Sequence, residues 1–261
     1  MTPGSEPCRK AGELPLKDII EPMVLLFSGQ SVFTEAPNST PLYKLNRDIK
    51  SISHRDSCVD FEKIEQDVSN TRIKIEDIGT GTSQKRHVFY IVHPLNAPYR
   101  TDIPAKYYIT SAMPEMIGNI RLETSQPRFQ RRAFKAMLSA ERTASDKPLF
   151  EEGTQQLLFD IKPIWKVGRK RYSWNDANGR QVAFEEEDND KYKLSLTSRM
   201  SEELRDALVA TWVLRLWHDK AESKQAKREF FEDMTPPELY HSNMKLTKRA
   251  GALGALGGAG C

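Results

Sequence analysis

Hydrophobic positions along the chain follow one period for most of its length and then switch. Between residues 42 and 196 they come in short runs, often alternating with polar residues and broken by Gly, Pro, Asn and Asp. From Ala207 to Trp217 they are nearly continuous. The short runs predict strands at 42–52, 59–66, 71–78, 88–92, 106–112, 117–123, 133–139, 157–161, 171–174, 181–185 and 192–196. Ile73 and Ile75 share a face, as do Phe134, Ala136 and Leu138, which alternate with Lys135 and Met137. Leu157, Phe159 and Ile161 alternate in the same way, and so do Tyr192, Leu194 and Leu196. The run Val88-Phe89-Tyr90-Ile91-Val92 is β-branched or aromatic on both faces, as a strand covered on both sides would be.

The best-defined hairpin joins 171–174 to 181–185. Asn178-Gly179 between them predicts a type I′ turn, whose central residues need positive φ. Tyr172, Trp174, Val182 and Phe184 are its expected inward set. The one clear helix is 201–217. Ser201 is its expected cap, and Glu202 and Glu203 suit the positive end of the helix dipole. Arg215 is the only charge between Ala207 and Trp217. A helix that is apolar on every face must be enclosed, and this one is shorter than the roughly 20 residues that cross a bilayer. The pattern therefore predicts a mainly β protein: a closed antiparallel barrel, or a curved sheet, around a buried C-terminal helix, with flexible tails.

The ends read differently. Residues 1–40 are rich in Pro, Gly and Ser and read as a flexible leader. The run 23–27 within it is a candidate edge strand. The expected barrel domain is 41–218, followed by a charged helix and a Gly/Ala-rich tail over 219–261. At 261 residues this suggests one domain. The net charge of +3 is weak and argues against nucleic acid as a dedicated partner. Cys8, Cys58 and Cys261 are few, odd in number and far apart, so they suggest neither a disulfide framework nor zinc and fit a reducing cytoplasmic or nuclear compartment. The run 23–27 is too short for a signal peptide and follows Glu13, Asp18 and Glu21 where such a signal is basic.

Candidate chemistry is sparse. His54, His87, His93, His218 and His241 show no metal spacing. The acidic run 185–190 lacks the Gly and closing Glu of a calcium loop and reads as a solvated turn. Gly79-Thr80-Gly81-Thr82 has no following Lys-Ser/Thr and is no phosphate loop. Cys261 is the last residue, not fourth from the end as prenylation requires. No nucleophile–base set stands out, so the expectation is a non-enzyme without metal or cofactor. Two basic clusters remain. Arg128, Arg131, Arg132 and Lys135 lie near Phe129 and Phe134, and Lys166, Arg169, Lys170 and Arg171 lie near Trp165 and Tyr172. Cations beside aromatics suit anionic headgroups and also single-stranded nucleic acid; the plain alternative is a solvated hairpin face. Lys166, Arg169, Lys170, Arg171, Arg128, Arg131 and Arg132 are the candidate lipid-binding residues.

Many strands followed by one buried helix resemble the tubby C-terminal-like superfamily, which includes the LURP-one-related proteins and the phospholipid scramblases. The chain is most similar to the fungal tubby-like or LURP-one-like members. The resemblance spans 41–218 and is carried by Pro41-Leu42-Tyr43-Lys44-Leu45-Asn46-Arg47-Asp48-Ile49, by Trp174-Asn175-Asp176-Ala177-Asn178-Gly179-Arg180, and by Arg205-Asp206-Ala207-Leu208-Val209-Ala210-Thr211-Trp212 with Trp217. It implies a closed barrel of about twelve antiparallel strands around a central helix, without exposed sheet edges. Members bind phosphoinositides, act at membranes or have no assigned activity. Their binding cations have no residue-by-residue match here, so no site is carried over. The charged segment after the helix departs from the membrane-anchoring end of scramblases. The expectation is a monomeric, non-enzymatic intracellular module, cytoplasmic or nuclear, peripheral to an anionic phospholipid surface and not spanning it. The alternative is an adaptor that uses the same cations on a protein or nucleic acid.

Overall fold

The computed structural model describes residues 19–36, 39–49, 58–65, 84–94, 97, 100–125, 131–164, 170–188 and 191–223. The first strand is β1 (Ile19–Ile20), followed by β2 (Val24–Ser28), β3 (Ser31–Thr34), β4 (Pro41–Leu45), β5 (Cys58–Glu65) and β6 (Gln84–Val92). Next come β7 (Tyr108–Ser111), β8 (Gly118–Ser125), β9 (Ala133–Ala140) and β10 (Gln156–Pro163). The set ends with β11 (Lys170–Asn175), β12 (Gln181–Asp188), β13 (Lys191–Leu196), β14 (Met200–Ser201) and the helix α1 (Glu202–Ala221). Strands β2 to β13 form one closed twelve-stranded barrel in the order β10-β11-β12-β13-β2-β3-β4-β5-β6-β7-β8-β9. Every neighbouring pair is antiparallel, and the pairing of β9 with β10 closes the ring. β1 and β14 form a separate two-stranded ribbon.

Alternation in the sequence becomes inside and outside of the barrel. Val59, Phe61 and Lys63 of β5 are buried, as are Tyr192, Leu194 and Leu196 of β13. What those faces pack on is α1. Ser201 caps it, its Oγ accepting from the Leu204 N–H at 3.3 Å, with Glu202 and Glu203 in the first turn and His218 and Lys220 in the last. All fourteen residues from Arg205 to His218 are buried. A helix with no exposed stripe needs strands on every side, and here strands from around the ring reach it. Phe27 of β2 meets Trp212 edge-on at 6.2 Å, while Phe134 of β9 and Tyr107 before β7 pack on His218 at 5.1 and 4.7 Å. Burying each large side chain such as Leu208 or Leu214 stabilises by about 1.5–3 kcal/mol.

Four expectations need correction: the start of the barrel, the edge position of 23–27, the turn type of the hairpin and the inward placement of Phe184. The barrel starts at Val24, not at 41, because β2 and β3 come from the supposed leader. β2 is bonded to β13 on one side and β3 on the other, so it is an interior strand of the ring rather than an edge. The Gly and Pro there punctuate strands: Gly29, at φ 59, turns the chain from β2 into β3. The hairpin turn is not type I′. Only Gly179 has positive φ, at 78°. Asp176 holds the turn by accepting the N–H groups of Asn178 and Arg180 at 2.9 Å each, and Gly179 N–H donates to the Asp176 carbonyl at 3.0 Å. This is a type I turn completed by a left-handed glycine. The register then slips between Trp174 and Asn175. A one-residue slip exchanges the two faces of a strand. Ala183 and Glu185 therefore face inward opposite Trp174 and Tyr172, while Phe184 faces out. The expected strand 71–78, the loop 79–83, the helix continuation beyond 223 and the terminal tail lie outside the described residues.

Candidate functional site at the rim where the helix ends

In an antiparallel ring, successive connections alternate between two rims. α1 begins at one rim and ends at the other. The connections β6–β7, β8–β9, β10–β11 and β12–β13 open on the rim where it ends, since Tyr107, Phe134 and Tyr172 there all pack on its last turns. The first basic cluster falls in the β8–β9 connection and the start of β9. The second falls in the β10–β11 connection and the start of β11. β10 lies between β9 and β11, with Ile161 opposite Phe134 and Pro163 opposite Tyr172. Two clusters that are far apart in sequence thus attach to adjacent strand ends of one rim.

The individual cations are placed as follows. Arg128, Lys166 and Arg169 lie outside the described residues. Lys170 opens β11 opposite Glu187. Arg131 is exposed. Arg132 is half-buried, with Nη1 3.9 Å from the Glu222 carboxylate. Arg171 is tied to the barrel's outer wall, bonded to Glu186 at 2.6 Å and lying 5.6 Å from the Phe184 ring centre. Arg171 thus has its charge met by the barrel wall.

A cleft of about 710 Å³ opens on the same rim. One wall is 104–107 and the other is 121–124 of β8, with Arg132, His218 and Glu222 at its base. Tyr107 donates its hydroxyl to Glu222 at 3.3 Å. Burial, then the Glu222 charge, raise the Tyr107 pKa far above the ordinary phenol value. His93 stacks on Tyr107 at 4.1 Å and donates from Nδ1 to the Lys106 carbonyl at 2.9 Å.

Inside the barrel lie charges that the sequence reading missed. Arg215 is fully buried; it bonds to Glu185, itself only 1% exposed, and to Asp219 at 2.9 Å, and its guanidinium sits 4.4 Å from the Tyr172 ring centre. Trp174 donates its indole N–H to Glu185 at 3.2 Å. Burial raises the Glu185 pKa, opposed by the Arg215 charge. Burial would lower the pKa of Arg215, but Glu185 and Asp219 hold it above the ordinary guanidinium value. Glu185 is thus no part of a solvated turn. The available signal was Arg215 itself, because a buried charge demands a partner. At the other end of α1, Asp206 accepts from the Tyr43 hydroxyl at 2.5 Å, from Lys63 at 3.1 Å and from Arg205 at 3.3 Å. Lys63 also reaches Glu202 at 2.8 Å. A pocket of about 270 Å³ lined by Lys63, Glu202 and Asp206 opens this end to solvent.

Among the described residues no three His, Cys, Asp or Glu side chains gather as a metal site. No described helix is long and apolar enough to cross a membrane. Fold and site together define a class: a closed antiparallel barrel threaded by its C-terminal helix, in which the strand ends adjoining two basic stretches of sequence are neighbours on the rim where the helix ends. No family model, curated protein or solved structure matches the chain.

Proposed function

We propose that the protein is a non-enzymatic binding module that docks its helix-end rim on anionic phospholipid headgroups, as a tubby-like barrel. The observation that carries this reading is the attachment of both basic clusters to adjacent strand ends of one rim. A flat anionic surface can meet such cations together while the barrel stays in water. Each cation near an anionic leaflet contributes about 1 kcal/mol. Lys166, Arg169, Lys170 and Arg131 together would contribute about 4 kcal/mol, falling steeply with salt. Arg171 is left out because Glu186 already neutralises it. The twelve-stranded closure around one helix supports the tubby-like reading at the level of architecture. The test is flotation of the protein with phosphoinositide-containing liposomes across a salt series. Binding at low salt that disappears when those four residues become Gln supports the proposal. Indifference of the parent protein to the liposomes, or preference for a nucleic-acid probe in a parallel gel shift, contradicts it.

A further inference from the structure

We propose that the acidic end of β12 is a built-in counterweight to the cations at the start of β11, so that docking needs a denser anionic surface than those cations alone would require. The inference rests on the lipid-docking reading above and concerns the regulation of that same rim. Its basis is strand register. β12 ends in Glu186, Glu187 and Asp188, beside the first residues of β11. Lys170 lies directly opposite Glu187, and Arg171 directly opposite Glu186. Arg171 bonds Glu186 at 2.6 Å, and the two side chains are only 18% and 25% exposed. On its other side Glu186 faces Lys193 of β13, whose ammonium bonds Glu35 at 2.7 Å. Glu185, the first acid of the run, takes no part, because it faces inward to Arg215.

Distance decides which cations this acidic arm reaches. Neighbouring strands lie about 4.8 Å apart, inside the Debye length of about 8 Å at physiological ionic strength. The start of β11 is one strand away from the arm. The start of β9, which carries Arg132 just before it, is three strands away, in the order β9-β10-β11-β12. That is roughly 14 Å, and salt screens most of the interaction over such a span. The arm therefore acts on the second basic stretch and leaves the first alone.

A cation held beside a carboxylate presents little net field to an approaching surface. An anionic leaflet has to draw the cation outward while it repels the carboxylate next to it. Both effects weaken docking, so a sparsely charged leaflet is refused and a densely charged one is accepted.

The experiment compares three full-length chains on phosphatidylcholine liposomes carrying increasing amounts of a phosphoinositide, at low salt. The arm variant is Glu186→Gln, Glu187→Gln and Asp188→Asn. The control carries the same charge change on the opposite rim: Glu115→Gln, Glu151→Gln and Glu152→Gln, all at exposed positions. The arm variant is expected to bind at least about tenfold more tightly than the parent, as two or three uncovered charges imply, and to reach half-binding at a lower phosphoinositide content. The control should stay within about threefold of the parent, because its carboxylates lie beyond the screening length. Should the arm variant misfold, Asp188→Asn alone, at an exposed position, decides the matter with a gain of about threefold or more. A parent that binds while the arm variant gains nothing, or a control that gains as much as the arm variant, would overturn the counterweight and leave the docking reading standing. Binding by none of the three chains would remove the docking reading and the counterweight with it.

Discussion

The two ends of the barrel handle charge in opposite ways. Where the helix begins, the buried network is vented. Lys63, Arg205 and Asp206 line or adjoin a small pocket, and Glu202, with 46% of its side chain exposed, offers both cations a second carboxylate. The rim around it is internally paired: Arg142, Arg180 and Arg199 bond Glu151, Asp176 and Glu21 at 3.0, 3.1 and 2.9 Å. Where the helix ends, the interior is sealed, with Arg215 and Glu185 out of reach of water, and the strand ends that adjoin the two basic stretches lie side by side. The difference teaches that an ion pair which only has to hold the helix can be closed off. The proposed function asks the rim that meets an anionic surface to keep its charge in excess.

The severest way to break this arrangement is to open the ring. Deleting residues 1–34 removes β1, β2 and β3 and leaves β13 paired only with β12 and β4 only with β5. We expect an insoluble or unfolded product by circular dichroism. A folded truncation would show that the ring closes without these strands.

Arg215→Leu should come next. It leaves Glu185 charged and buried, at a cost of about 3–5 kcal/mol against a total stability of about 5–15 kcal/mol. Arg215→Leu with Glu185→Leu should recover most of that loss, since replacing both charges removes the desolvation penalty. At the vented end Asp206→Ala should cost less, about 1–3 kcal/mol, because Glu202 can take over Lys63 and Arg205. Urea melts of the three variants check the order; equal losses at both ends would erase the distinction between sealed and vented.

The tyrosines sharpen the comparison by pH. Burial pushes Tyr172 up to about 12 and raises Tyr43, Tyr107 and Tyr108 as well. The folded chain thus keeps protons that the unfolded chain releases near the ordinary phenol value. The stability they contribute is complete below about pH 10 and is lost as pH rises toward 12. In an absorbance titration at about 295 nm, these four of the eight tyrosines should ionise above the ordinary phenol range. A smooth titration of all eight near pH 10 would mean that the interior is open to water.

Much of this fold was legible in the sequence. Alternation located β9, β10 and β13 to within a few residues, runs of β-formers located β5, β6 and β8, and the cap at Ser201 with the nearly continuous apolar run at 207–217 identified the buried helix. What stayed hidden has physical causes. β2 and β3 are short and sit among Pro22, Gly29 and Pro37, so composition masked two strands that the ring needs. The bulge after Trp174 reversed the face of β12, which moved Glu185 inward out of an acidic run that looks solvated. The site was only half legible. Local composition picked out the two basic clusters, but their attachment to one rim depends on strand order, and the cleft beside β8 depends on where β7 stops.

The smallest expected effect on stability belongs to the most direct test of the functional claim. Two variants carry equal losses of charge: Lys166, Arg169, Lys170 and Arg131 to Gln on the helix-end rim, and Arg142, Lys147, Arg180 and Arg199 to Gln on the opposite rim. Surface changes of this kind alter stability by about 0.5 kcal/mol each at most, so both should melt near the parent temperature. Flotation with phosphoinositide-containing liposomes at low salt then separates them. The account predicts that the helix-end variant loses binding and the opposite variant keeps it. Equal retention, or equal loss from both, would contradict it.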